Sequence, residues 1–165
     1  MPDLKPAQKA FEKALAKVLD PSNMRKYGKM AADMIKLRTR LGYGVETDGS
    51  EKGRLKKLTD YTIEKRKEMK KKGLLSSETS PGRSNLTATG QLLDSLGVTS
   101  TGVGFAIVSP HGTRDDGQKN EDVGASVTFN GRPFNNLSQT EIKRVNDELR
   151  DDLEKIANEE LTKLT

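Results

Sequence analysis

The chain reads as an α+β protein, with N-terminal helices and a long C-terminal helix packed on a small antiparallel β-sheet. Three observations in its 165 residues predict this. Apolar residues recur at three- and four-residue steps over 6–42 and again over 139–164, the spacing of amphipathic helices. From Gly97 the period changes to two, the spacing of half-buried strands. Helices first, then strands, then a helix is an order that segregates helices to one face of an antiparallel sheet. The length fits one domain, 1–165, made of a helical hairpin over 1–42 and an α+β core over 55–165.

Pro6 suits the first turn of a helix. Ala7, Ala10, Phe11, Ala14, Leu15, Val18 and Leu19 then keep helical spacing, until Asp20-Pro21 stops it. Ser22 or Asn23 is expected to cap a second helix, lined on one side by Tyr27, Met30, Ala31, Met34, Leu37 and Leu41 and ending near Gly42. Residues 43–53 hold three glycines and read as a loop. A third helix is expected from Thr59 to Lys72, stopped by Gly73. Residues 74–85 (LLSSETSPGRSN) are rich in Ser, Pro and Gly and are expected to be flexible. A short helix over 90–96 follows.

Val98–Thr101 and Gly104–Val108 are expected to pair as a hairpin. Residues 110–124 are polar and are expected to form a second flexible loop. Val127 and Phe129 alternate in Ala125–Phe129, which predicts a third strand, with a further edge supplied by 43–47 or by a neighbouring subunit. The last helix is the clearest. Ser138 and Glu141 have the spacing of a capping box, and Leu137 and Ile142 that of a hydrophobic staple. Ile142, Val145, Leu149, Leu153, Ile156, Leu161 and Leu164 continue as one apolar stripe.

Only 32% of the residues are hydrophobic and 4% aromatic, while 32% are charged and none is Trp. So thin a core implies mobile segments as well as apolar surface that is covered only on assembly. Cysteine is absent, which excludes disulfides and thiolate metal sites and fits a reducing compartment. No apolar run approaches the ~20 residues of a membrane-spanning helix, and the first residues lack a signal-peptide core.

The net charge of +5 is unevenly spread. Residues 1–72 carry 20 basic and 10 acidic groups, and residues 113–165 carry 8 and 12. A basic front and an acidic back suit nucleic acid or head-to-tail packing of identical subunits equally well.

Chemistry is sparse. His111 is the only histidine and has no nucleophile and acid at triad spacing, so it reads as a loop residue. Asp115 to Asp122 is oxygen-rich but lacks the alternating ligand spacing of a calcium loop. Gly102-Val103-Gly104 is too short for a dinucleotide fingerprint. Asp151 and Asp152 point to different sides of a helix. No cofactor, metal or catalytic centre is expected, so the chain is not expected to be an enzyme.

Residues 52–72 hold ten basic residues against three acidic ones. Such a cluster can neutralise phosphates. Against this, Asp60, Glu64 and Glu68 recur every four residues, which gives pairs within the helix, and Tyr61 is the only aromatic there for base stacking. Arg132-Pro133-Phe134 reads chiefly as a structural corner, with Phe134 plugging the core where sheet meets helix.

That corner also carries a resemblance. A short strand, Arg132-Pro133-Phe134, a polar linker, the Leu137-Ser138 cap and a final amphipathic helix resemble the end of the tail-completion (virion morphogenesis) proteins of tailed bacteriophages. A second match lies upstream, in Leu58-Thr59-Asp60-Tyr61 before Glu64-Lys65-Arg66-Lys67, and in Thr89-Gly90-Gln91-Leu92 leading to Ser95-Leu96. The matches span roughly Leu58 to Leu164 in the family's order. The 6–42 hairpin is only loosely similar, and the 110–124 loop is longer and more acidic.

The resemblance implies the same α+β arrangement and a structural role in the virion, at the neck where head meets tail. It implies a homo-oligomeric ring, six-fold in the family, assembled in the host cytoplasm. The implied partners are a connector or adaptor on one side and the tail tube or terminator on the other, with DNA passing through the lumen and no membrane. Candidate interface residues are Lys65, Arg66, Lys70, Arg83, His111, Arg114, Arg132 and Phe134. The alternative reading is a small basic nucleic-acid-binding protein, and a weaker one is a regulatory partner protein.

Overall fold

The computed structural model describes residues 4–46 and 48–163. Leu164, the last member of the C-terminal stripe, and Thr47 lie outside them. The protein is α+β, with six helices and two small antiparallel sheets among the described residues.

Helix α1 (Lys5–Val18) buries Ala10, Ala14 and Val18. Small side chains at i, i+4 and i+8 leave a flat strip on which another helix can lie closely. That helix is not its sequence neighbour α2 (Pro21–Arg40) but the last one, α6 (Gln139–Thr162). Asp20, rather than Ser22 or Asn23, caps α2. Its carboxylate accepts from the Ser22 backbone N–H at 2.9 Å, and Pro21 occupies the first helical position. Asp20-Pro21 therefore ends one helix and begins the next, because proline's missing N–H is harmless at that position.

The buried face of α2 is Met24, Tyr27, Gly28, Ala31, Ala32, Ile35 and Thr39. Tyr27 and Ala31 lie on it as expected, but Leu37 and Leu41 are exposed. The face is set by close approach: a Cβ on Gly28 would stand 2.8 Å from Val98 Cγ2 and 2.9 Å from Ala106 Cβ. Small residues mark where the sheet touches down.

Residues 43–53 are not a loop. Strand β1 (Tyr43–Val45) pairs antiparallel with β2 (Glu51–Arg54) as a sheet of their own. Their glycines are what a tight hairpin needs. Gly49 has φ +81°, and a Cβ on Gly44 would meet the Pro133 carbonyl at 2.8 Å. Strand β1 therefore adds no edge to the main sheet, and Thr47, the end of the expected 43–47 edge, lies outside the described residues.

Helix α3 (Asp60–Lys71) is capped by Thr59, whose hydroxyl accepts from the Thr62 N–H. Residues 74–85 contain neither helix nor strand and run as turns with fixed anchors. The Ser76 N–H donates to the Ala88 carbonyl, and buried Asn85 accepts from the Thr79 hydroxyl at 2.7 Å. Helix α4 (Gln91–Asp94) follows Gly90 and buries Leu92 and Leu93.

Strands β3 (Leu96–Gly102) and β4 (Phe105–Pro110) form the expected hairpin, closed through Val103-Gly104. The hairpin packs on α2.

The expected third strand is a helix. Helix α5 (Asn120–Phe129) takes in both the supposed strand and the end of the supposed 110–124 loop. Asn120, Val123, Gly124 and Val127 face inward, a helical set at i, i+3, i+4 and i+7. Phe129, expected to alternate with Val127 on one face of a strand, is 91% exposed. Gly124 packs near Pro110, Leu92 and Phe134, where a Cβ would be 3.2 Å from the Pro110 ring.

The α6 capping box is present in both halves: Glu141 N–H to Ser138 Oγ at 3.2 Å, and Ser138 N–H to Glu141 Oε2 at 2.8 Å. Val145, Leu149, Leu153 and Ile156 pack on buried Val18, Met24 and Tyr27. A second core cluster joins Ala32, Ile35, Leu92, Leu93, Leu96 and Phe134.

Candidate functional site

Two features stand out from the packed fold: an open apolar groove and a cluster of arginines.

The groove runs over α2, between β4 on one side and α6 on the other, with a volume of about 520 Å³. Gly28, Ala31 and Ile35 line its floor; Ala106, Val108, Val145 and Leu149 line its walls. Its width follows from the sheet having only two strands. β3 occupies one edge of β4, and no strand pairs with the other edge among the described residues. An unpaired strand edge beside an apolar trough is a template for a further strand or segment. Phe105, which also lines the groove, and Ile107 are each about half exposed (51% and 50%).

Ion pairs fix the two long helices that frame the groove. The Tyr27 hydroxyl donates to Asp152 Oδ2 at 2.8 Å, and Lys26 Nζ lies 2.6 Å from the same oxygen. Burial, then the Asp152 contact, pushes the Tyr27 phenol up to about 12. Lys26 holds the Asp152 carboxyl below its usual range. Arg38 pairs with Glu141 and donates to the carbonyls of Phe134 and Asn136 at 2.6 and 2.9 Å. Lys17 and Lys163 reach Glu160 at 2.5 and 2.7 Å. Part of the front-to-back charge asymmetry is thus complementarity within one chain: basic α1 and α2 grip acidic α6.

The arginine cluster lies elsewhere. Arg66 is the one buried residue of α3 and is only 6% exposed. Its Nη1 donates to the Arg83 carbonyl at 2.6 Å. Arg132, in the turn between α5 and α6, donates through Nε to the Lys56 carbonyl (3.2 Å) and through Nη2 to the Lys57 carbonyl (3.1 Å). The Ser84 hydroxyl donates to the same Lys56 carbonyl at 2.6 Å. Burial lowers Arg66 from its ordinary value, and the charge of Arg132 lowers it further.

Of the sequence candidates, the fold thus brings together Arg66, Arg83 and Arg132. Lys65 and Lys70 are exposed on α3, with Lys65 Nζ 4.9 Å from the centre of the Tyr61 ring. His111 and Arg114 belong to the loop between β4 and α5, where Arg114 pairs with Asp116 at 3.4 Å and His111 is exposed. Phe134 is fully buried. It is the core plug rather than an interface residue, because the turn after α5 drives it between Leu92, Leu93 and Leu96.

The groove was not foreseen. Its signal was the helical spacing of Gly28 and Ala31 ahead of Ile35, two small residues where a floor must be flat. No group of three or more His, Cys, Asp or Glu side chains that could hold a metal occurs among the described residues. No helix among them is long and apolar enough to cross a membrane. The chain matches no family model, no curated protein and no solved structure.

Proposed function

We propose that the chain is a structural, non-catalytic subunit of a tailed-phage virion. Its copies close into a ring at the head–tail neck that completes the tail end and joins it to the head connector. The observation that carries assembly is the groove over α2 beside the unpaired edge of β4. A single chain leaves apolar floor and backbone donors open, and an adjacent subunit covers both. The placement at the neck comes from the resemblance within Leu58–Leu164. It is carried by the Arg132-Pro133-Phe134 corner, the Leu137-Ser138 cap, the final helix and the upstream match, but not by the strand expected before the corner, which is α5. Tail-tube or terminator and connector or adaptor proteins are its neighbours.

Native mass spectrometry over a rising concentration range tests the self-association, followed by electron microscopy of the ring's symmetry. A closed oligomer that Phe105→Glu breaks into folded monomers is the expected result. A chain that stays monomeric alone, and equally fails to cap isolated tail tubes, would sink the reading. The second reading, a small basic nucleic-acid-binding protein, is favoured by one observation, the Arg66–Arg132 cluster.

A further inference from the structure

Five arginines are at least partly buried: Arg38, Arg40, Arg66, Arg114 and Arg132. Three have a carboxylate partner: Arg38 has Glu141, Arg40 has Glu78 and Asp94, and Arg114 has Asp116. Arg66 and Arg132 have none within ion-pairing distance among the described residues, and both anchor at one junction: Arg66 donates to the Arg83 carbonyl, and Arg132 shares the Lys56 carbonyl with Ser84, the next residue. Their hydrogen-bond partners are backbone carbonyls, which orient a guanidinium without neutralising it.

Two like charges held together in partial burial cost stability unless a counter-charge arrives. The fold nevertheless fixes both, one from α3 and one from the turn before α6. Lys56 and Lys57 are exposed beside them, because Arg132 grips the backbone of those two residues. Lys70 stands one turn beyond Arg66 on the same side of α3.

We propose that Arg66 and Arg132 form an oxyanion site for a phosphate of a nucleic-acid backbone, with Lys56, Lys57 and Lys70 as its outer ring. A fixed pair of guanidinium forks suits phosphate oxygens. Loose lysines around it suit the diffuse charge of neighbouring phosphates. The excess of ten basic over three acidic residues across 52–72 selects a polyanion over a single carboxylate. No side chain here reads base edges, so binding is independent of sequence. The site stands whether or not the subunits form a ring.

The first test uses the unaltered protein. A labelled 20-base-pair duplex of arbitrary sequence is titrated while the arginine Nε–H signals are followed by NMR. Arg66 and Arg132 shift together, whereas Arg38, locked on Glu141, stays. In a second test, fluorescence anisotropy measures duplex affinity across a salt series. Arg132→Gln weakens binding roughly tenfold and lowers the salt slope by about one; Arg66→Lys keeps the charge, loses the fork and falls between. Unmoved Arg66 and Arg132 signals overturn the proposal. So does an Arg132→Gln variant that binds duplex like the parent. If that variant instead loses self-association at unchanged duplex affinity, the site takes a carboxylate of a second copy, which also overturns it.

Discussion

Arg38 and the Arg66–Arg132 pair solve the same problem in opposite ways. Each guanidinium is drawn out of water by a turn whose carbonyls it binds: Arg38 by Phe134 and Asn136, Arg132 by Lys56 and Lys57. Arg38 also meets Glu141, which the capping box already holds in place, so one carboxylate satisfies both a helix start and a buried cation. Arg66 and Arg132 meet backbone carbonyls and no carboxylate among the described residues. The first node is finished inside the chain and belongs to the scaffold. The second has no carboxylate of its own, and of its two members Arg132 is the one that reaches the surface.

The largest effect should therefore come from breaking the finished node. Arg38→Ala leaves Glu141 without its cation and two carbonyls without donors, and it is expected to cost about 3 kcal/mol in urea unfolding. Arg132→Gln removes a charge that repels its neighbour and should cost less than about 1 kcal/mol. Equal losses in the two variants would erase the distinction between scaffold and site.

A smaller change comes from Ser138→Ala, which removes one half of the capping box. Stability should fall by about 1 kcal/mol, and Glu141, freed on that side, should stay with Arg38. A loss near that of Arg38→Ala would mean that the cap, not the ion pair, organises the node.

The smallest expected effect is a pH dependence at the α1–α6 contact. Lys163 and Lys17 hold Glu160 down to about 2, from an ordinary value of 4.5. The sign follows from the depressed folded value: the contribution is complete above about pH 4.5 and is lost as pH falls towards 2. Unfolding followed between pH 5 and 2 should show a loss that Glu160→Gln reduces. The Arg66–Arg132 pair, lacking a carboxylate, adds nothing to that slope.

What the sequence revealed depended on range. The Ser138–Glu141 box, the start of α3 near Thr59 and the β3–β4 hairpin are each set by residues a few positions apart, so local chemistry was enough. Helix α5 was misread because Val127 and Phe129 alternate over a window too short to separate the two periods. Gly124 looked like a breaker yet serves close packing. On α2 the larger residues Leu37 and Leu41 drew the predicted stripe, while Gly28 marks the true contact.

The candidate site shows the same limit. Arg66, Arg83 and Arg132 were each visible as basic residues. Their meeting depends on a turn reaching back to Lys57, 75 positions earlier. Nor could spacing reveal that Glu141 has a second partner 103 positions upstream.

The packing of α1 on α6 has a consequence for the newly made chain. Lys17 and Glu160 are 143 positions apart, so at ~5–20 residues per second the first helix leaves the ribosome on the order of ten seconds before its partner exists. Through that interval the strip of Ala10, Ala14 and Val18 is uncovered, and an isolated helix of 14 residues is marginal in water. Helix α6 closes the fold, so a nascent chain stalled before residue 139 would present an uncovered strip to chaperones or to other copies of itself.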